Sequence, residues 1–182
     1  MSLYKNKYRI ESARLSRWNY ASCGYYFVTI CTKNMVCHFG RVVGGKMKLS
    51  KFGCVAVQHW LNIPNIFPFV TLDEFVVMPN HVHGILIIDH GLRNGRDAIY
   101  RVSGGGATHR NNPMGCGTLG EVIRCFKGKF TFEIRKKQSE YFTWQPRFHD
   151  HVIRDRTALQ NIRNYIHQNP LKWNKDCFHV YK

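Results

Sequence analysis

Two apolar runs, residues 72–78 and 82–88, stand on either side of Pro79 and Asn80, and histidines occupy positions 81 and 83. Proline fixes φ and lacks an N–H, so the chain turns here and the two runs pair as an antiparallel hairpin. Side chains alternate along a strand, which puts His81 and His83 on the same face of whatever sheet the hairpin joins. At that spacing two neutral imidazoles can reach one divalent cation. A chain of 182 residues is long enough to bury such a hairpin within one domain.

Spacing alone does not select this pair. With ten histidines in 182 residues, a shuffled chain would hold about 0.5 His-x-His triplets. A second pair, His149 and His151, lies in WQPRFHDHVI. Context favours the first, which follows a turn and leads into the apolar residues 85–88.

The remaining patterns supply covering elements. YYFVTICTK, residues 25–33, is rich in aromatic and β-branched side chains and predicts a core strand, with a hairpin or edge strand at 40–49. Ser50 is a suitable N-cap for a helix whose apolar stripe is Phe52, Val55, Ala56, Trp60 and Ile63, stopped by Pro64. Residues 89–117 contain seven glycines and no apolar period, as a long flexible loop would. Thr118 and Glu121 form a capping box for a helix with Leu119, Val122, Ile123, Phe126, Phe130 and Ile134 on one face. Its other face carries Arg124, Lys127, Lys129, Arg135, Lys136 and Lys137. Residues 144–153 predict a further strand, and Thr157 with Gln160 caps a helix through Leu159, Ile162 and Ile166 that ends before Pro170. This order predicts an α+β fold, a ferredoxin-like two-layer sandwich. An antiparallel sheet is covered by helices, with the two histidines on a core strand.

Lys and Arg number 27 against 11 Asp and Glu, a formal charge of +16 spread along the chain, which points to a polyanionic partner. No segment reaches 18 apolar residues, so nucleic acid is preferred to membrane as that partner. Seven cysteines without a Cys-x-x-Cys pair argue against a zinc ribbon or a disulfide framework and read as reduced, mostly buried thiols. The stretch MSLYKNKYRIESARLSRWNY has no apolar segment of the secretory type, so a cytoplasmic protein is expected.

In the last helix, NYIHQNP sets Tyr165 and Asn169 four residues apart, one turn from each other on the same face. If that face packs toward His81 and His83, Asn169 completes a His-His-Asn cation site and Tyr165 points at whatever the cation binds. The same pattern suits an ordinary boundary tyrosine and an asparagine that ends a helix before proline.

Taken in order, VVMPNHVHGILI, TLGEVIRCFKGKFT, WQPRFHDHVIR and RNYIHQNP resemble the single-tyrosine HUH transposases, in particular the REP-associated tyrosine transposases. The resemblance runs from about Tyr25 to Trp173 and leaves out the glycine-rich stretch. It implies one HUH transposase domain over residues 1–182, a DNA strand nuclease and transferase dependent on Mg²⁺ or Mn²⁺. His81, His83 and Asn169 would be the metal ligands and Tyr165 the nucleophile that forms a 5′-phosphotyrosine. It also implies single-stranded or hairpin DNA as the partner, and leaves monomer and homodimer both open.

Arg124, Lys127, Arg147 and Arg154 are the candidate phosphate contacts, and Trp18, Tyr20, Trp144, Phe148 and Trp173 are available as base platforms. His151 and His167 are candidates for roles beside the nucleophile. Two other readings stand: a non-catalytic nucleic-acid-binding module of the same fold, and a zinc hydrolase completed by Asp150 or Asp89.

Overall fold

The computed structural model describes residues 18–90, 115–137 and 142–179. The glycine-rich stretch expected at 89–117 falls, apart from its ends, outside the described residues. Six strands are described: β1 (Gly24–Cys31), β2 (Gly40–Val43), β3 (Lys46–Leu49), β4 (Val70–Val77), β5 (His81–Ile88) and β6 (His149–Ile153). Four α-helices accompany them: α1 (Lys51–Leu61), α2 (Ile63–Ile66), α3 (Leu119–Lys137) and α4 (Arg156–Gln168).

β4, β5, β1 and β6 form one sheet in that order, antiparallel at every junction. Counted among these four, the strands run second, third, first, fourth across the sheet, the order of a ferredoxin-like sandwich. The hairpin at Pro79–Asn80 therefore puts β5 in the centre, where both faces need cover.

On one face Tyr26, Val28, Ile30, Val82, Leu86 and Ile88 join the principal core with the apolar stripes of α1 and α3. The other face carries Phe27 and Ile85, which α4 covers with Ile162 and Ile166. A helix on this second face adds a partial third layer to the two that the pattern predicted.

Local chemistry explains most boundaries. Ser50 caps α1 by accepting from the Gly53 N–H. Pro64 ends that helix in effect, because it stands in the first turn of the short α2. Thr118 Oγ1 accepts from the Glu121 N–H, and Glu121 reaches back to the N–H of Gly117 rather than to Thr118 itself. Gly44 and Gly45 hold positive φ in the tight turn joining β2 to β3, a conformation that favours glycine.

Three expectations need correction. α4 is capped by Asp155, whose side chain accepts from the Ala158 N–H at 2.8 Å, not by Thr157 with Gln160. A carboxylate there serves both the free N–H groups and the positive end of the helix dipole, so the helix starts earlier. The cysteines are free thiols, but among the seven only Cys31 is buried and five are exposed. The strand expected at 144–153 is also shorter, since Trp144 makes an isolated bridge to Thr32 and regular pairing begins at His149. No helix among the described residues is long and apolar enough to cross a membrane.

One close approach fixes the central strand. A Cβ added to Gly84 of β5 would overlap the Trp60 ring of α1, which is fully buried against the sheet. Gly84→Ala is therefore expected to destabilise the fold by about 1–3 kcal/mol, measured by denaturant unfolding. A wild-type midpoint would mean that Trp60 is free to move aside.

Candidate active site

β5 presents His81 and His83 on the face covered by α4, and both side chains are buried. Each imidazole is oriented by its Nδ1. Asn80 donates both amide hydrogens, to the carbonyl oxygens of Met35 at 3.1 Å and Phe178 at 2.8 Å. Its Oδ1 is thereby turned to accept from His81 Nδ1 at 2.8 Å, which leaves the lone pair of that ring on Nε2. His83 Nδ1 is hydrogen-bonded to Thr29 Oγ1 on the neighbouring strand at 2.8 Å.

Burial pushes His81 well below the usual histidine range, helped by the nearby His83, and brings His83 down to about 4. Both are therefore neutral imidazoles at physiological pH, the form that ligates a cation.

α4 brings Tyr165 over this pair. The phenol lies 3.2 Å from His83 Nε2, and its ring packs against His83 and edge-on to Phe27. Tyr165 is exposed, at 41%, so a ligand can reach it from outside. Burial and the adjacent Asp176 carboxylate push its hydroxyl up to about 12, with a hydrogen bond to Asn169 acting the other way. Asn169, one turn on, is buried.

Two buried polar atoms in this cluster, His81 Nε2 and Asn169 Oδ1, have no hydrogen-bond partner. Buried groups of this kind are ordinarily satisfied, and a nitrogen and an oxygen lone pair at one place suit a divalent cation. The residues present therefore fit a divalent cation.

Sequence reasoning missed Asp176. Among the described residues it forms one group with His81 and His83 whose donor atoms all lie within 4.8 Å of one another. The 3₁₀ turn Trp173–Lys175 folds the chain back after α4, with Trp173 buried 6.0 Å from His81 between ring centroids. No spacing rule connects position 176 to positions 81 and 83, so only the turn reveals it. The acids considered for a zinc site lie elsewhere. Asp89 follows the far end of β5, and Asp150 pairs with Val28, whose side chain is on the opposite face.

Other candidates are not brought to the cluster. Lys127 is turned inward, donating to the carbonyl oxygens of Gln145 at 2.7 Å and Arg147 at 2.9 Å, and burial lowers its pKa to about 8. Arg124 is exposed on α3, in the helical layer behind the sheet. Arg147 is exposed just before β6, and the exposed Arg154 lies over the Trp18 ring at 5.8 Å. Tyr20, Trp144, Phe148 and Trp173 are buried, so their rings serve the interior. His149 and His151 are exposed on β6, on the same sheet face as His83 but with β1 between. His167 meets Glu74 at 3.3 Å.

A bulge fixes how α4 sits. The β4–β5 register shifts between Leu72 and Phe75, re-aiming Asp73 and Glu74 toward the helix. Asp73 accepts two bonds from Arg163, at 3.0 and 2.6 Å, two residues before Tyr165. Burial alone would raise the Asp73 carboxyl, but the bonds from Arg163 and the Glu74 N–H outweigh it and hold the pKa below the usual value. The folded carboxyl thus titrates lower than the unfolded one, near 3.9. Its stabilisation is present above that pH and is lost as pH falls through the folded value. Asp73→Asn is expected to lower the melting temperature at pH 7, with the gap to wild type closing toward pH 2; an equal gap at both pH values would contradict this.

No family model matches the sequence. A Haemophilus influenzae protein described as uncharacterized is 38% identical over 170 residues, covering 93% of each chain. The two chains belong to one family. Among solved structures, a REP-associated tyrosine transposase bound to a REP hairpin matches 88% of this chain and 74% of its own, with TM-score 0.57 and 19% identity. The tyrosine-transposase fold is shared at that level, with an antiparallel sheet and helices packed on it.

Proposed function

We propose that this protein is a DNA transposase of the HUH type, a strand transferase that cuts and rejoins single-stranded DNA at or near hairpins through Tyr165. The observation that carries this reading is the convergence of the Tyr165 phenol on His83 at 3.2 Å beside the unpartnered His81 Nε2 and Asn169 Oδ1. The hairpin-bound transposase of similar fold and the charge of +16 support DNA as the substrate.

His81, His83 and Asn169 would hold Mg²⁺ or Mn²⁺, which supplies Lewis-acid polarisation of a phosphoryl oxygen and neutralises its charge. In the tautomer that donates from Nδ1 to Thr29 Oγ1, His83 Nε2 has one lone pair and would either accept from the phenol or ligate the cation. With that lone pair engaged elsewhere, the Tyr165 phenol would be free to turn toward the phosphate. Tyr165 Oη then forms a bond to phosphorus while the P–O3′ bond breaks, and the phenol proton balances the departing 3′ oxygen. The products are a 5′-phosphotyrosine and a free 3′-OH. Attack by another 3′-OH reverses the exchange, and the retained bond energy makes ATP unnecessary. Asp73 and Arg163 hold the helix so that the nucleophile stays over β5. Arg124, Arg147 and Arg154 are proposed to contact the phosphates leading to the site.

The test is a denaturing-gel assay for a covalent adduct with single-stranded hairpin oligonucleotides from the gene's own flanks, with Mg²⁺ or Mn²⁺. A metal-dependent adduct is expected. Tight binding without any adduct would favour the nucleic-acid-binding module instead.

A further inference from the structure

Asp176 and Asn80 fall outside the ligand set just proposed, yet the first lies beside it and the second hydrogen-bonds to His81. We propose that the turn from Asp176 to Phe178 forms one wall of the cation site, with Asp176 as an anionic donor and Asn80 as the residue that docks it. This inference rests on the reading of His81, His83 and Asn169 as a cation site.

Three observations carry it. The first is placement: a donor oxygen of Asp176 lies within 4.8 Å of ligand atoms on both histidines. The second is preorganisation. Asp176 Oδ1 accepts from the Phe178 N–H at 2.8 Å, and the Cys177 side chain also hydrogen-bonds to this carboxylate, so its position is fixed before any cation arrives. The turn is itself held by the Asn80 amide on the Phe178 carbonyl and by the Phe178 ring, centred 4.8 Å from His81.

The third is charge. Two neutral imidazoles and a carboxamide bring a dication into a chain of +16 with no compensating anion, whereas one carboxylate halves the local excess. Oxygen donors also suit Mg²⁺ and Mn²⁺ better than nitrogen alone. Asn80 is a positioning residue with two effects. The same carboxamide sets the His81 tautomer and holds the Asp176 turn, so loosening it disturbs two donors together.

The experiment measures binding of Mn²⁺ alone to the full chain, without DNA, by electron paramagnetic resonance. Water-proton relaxation counts the inner-sphere waters. Asp176→Asn keeps the Oδ1 acceptor for Phe178 and is expected to weaken Mn²⁺ at least roughly tenfold and to admit an extra water. Asp176→Glu should recover affinity relative to Asp176→Asn. Asn80→Ala should cost more than Asp176→Asn, and the double variant less than the product of the two effects. Cys54→Ser, an exposed thiol on α1 behind the other face of the sheet, should bind as wild type. Wild-type affinity and water count in Asp176→Asn would overturn the proposal and leave the histidine site standing. Failure of the wild-type chain to bind Mn²⁺ would overturn both.

Discussion

Tyr165→Phe is expected to reduce covalent adduct formation by roughly 1,000-fold or more while leaving DNA affinity near wild type. The substitution removes one oxygen and keeps the ring that packs on His83 and edge-on to Phe27. Loss of adduct therefore cannot be assigned to collapse of the helix. A second readout follows from the single lone pair on His83 Nε2. Without the phenol, no hydrogen bond competes with the cation. Mn²⁺ affinity should then be unchanged or rise by up to roughly fivefold, the equivalent of one net hydrogen bond of about 1 kcal/mol. Retained cleavage in this variant would end the assignment of Tyr165 as nucleophile. Weakened Mn²⁺ binding would mean that the phenol supports the cation instead of competing with it.

The histidine pairs give the second large effect. His81→Ala and His83→Ala are expected each to weaken Mn²⁺ by more than roughly 100-fold, beyond the loss typical of residues that only support a ligand. Metal-dependent cleavage should vanish with it. His149→Ala and His151→Ala, exposed on the edge strand with β1 between them and β5, should bind Mn²⁺ as wild type and still cleave. Isothermal titration beside the adduct assay checks both pairs. Cleavage that survives loss of His81 but not of His151 would move the site to β6.

Much of the fold was legible because its signals are local. The turn at Pro79–Asn80, the cap at Ser50 and the apolar stripes of α1 and α3 each act within a few residues. The two-residue spacing of the histidines and the four-residue spacing of Tyr165 and Asn169 fix shared faces in the same way. That the two faces meet depends on α4 crossing the sheet, and there local rules give no guidance. The crossing is set by the Asp73–Arg163 contact, 90 residues apart in sequence, made possible by a bulge with no turn signature. Lys127 was read from its place on a charged helix face, but the carbonyl groups of Gln145 and Arg147 draw it inward. Asp176 depends on a chain reversal after α4 and was invisible for the same reason.

The link between β6 and α4 is only Arg154 and Asp155. So short a tether keeps the tyrosine at a high effective concentration over the histidines of its own chain, since a longer one would dilute it. Lending the helix to a second copy would mean straightening that link and giving up the Asp155 cap, worth about 1 kcal/mol. Adduct yield per molecule should accordingly stay constant as the protein is diluted.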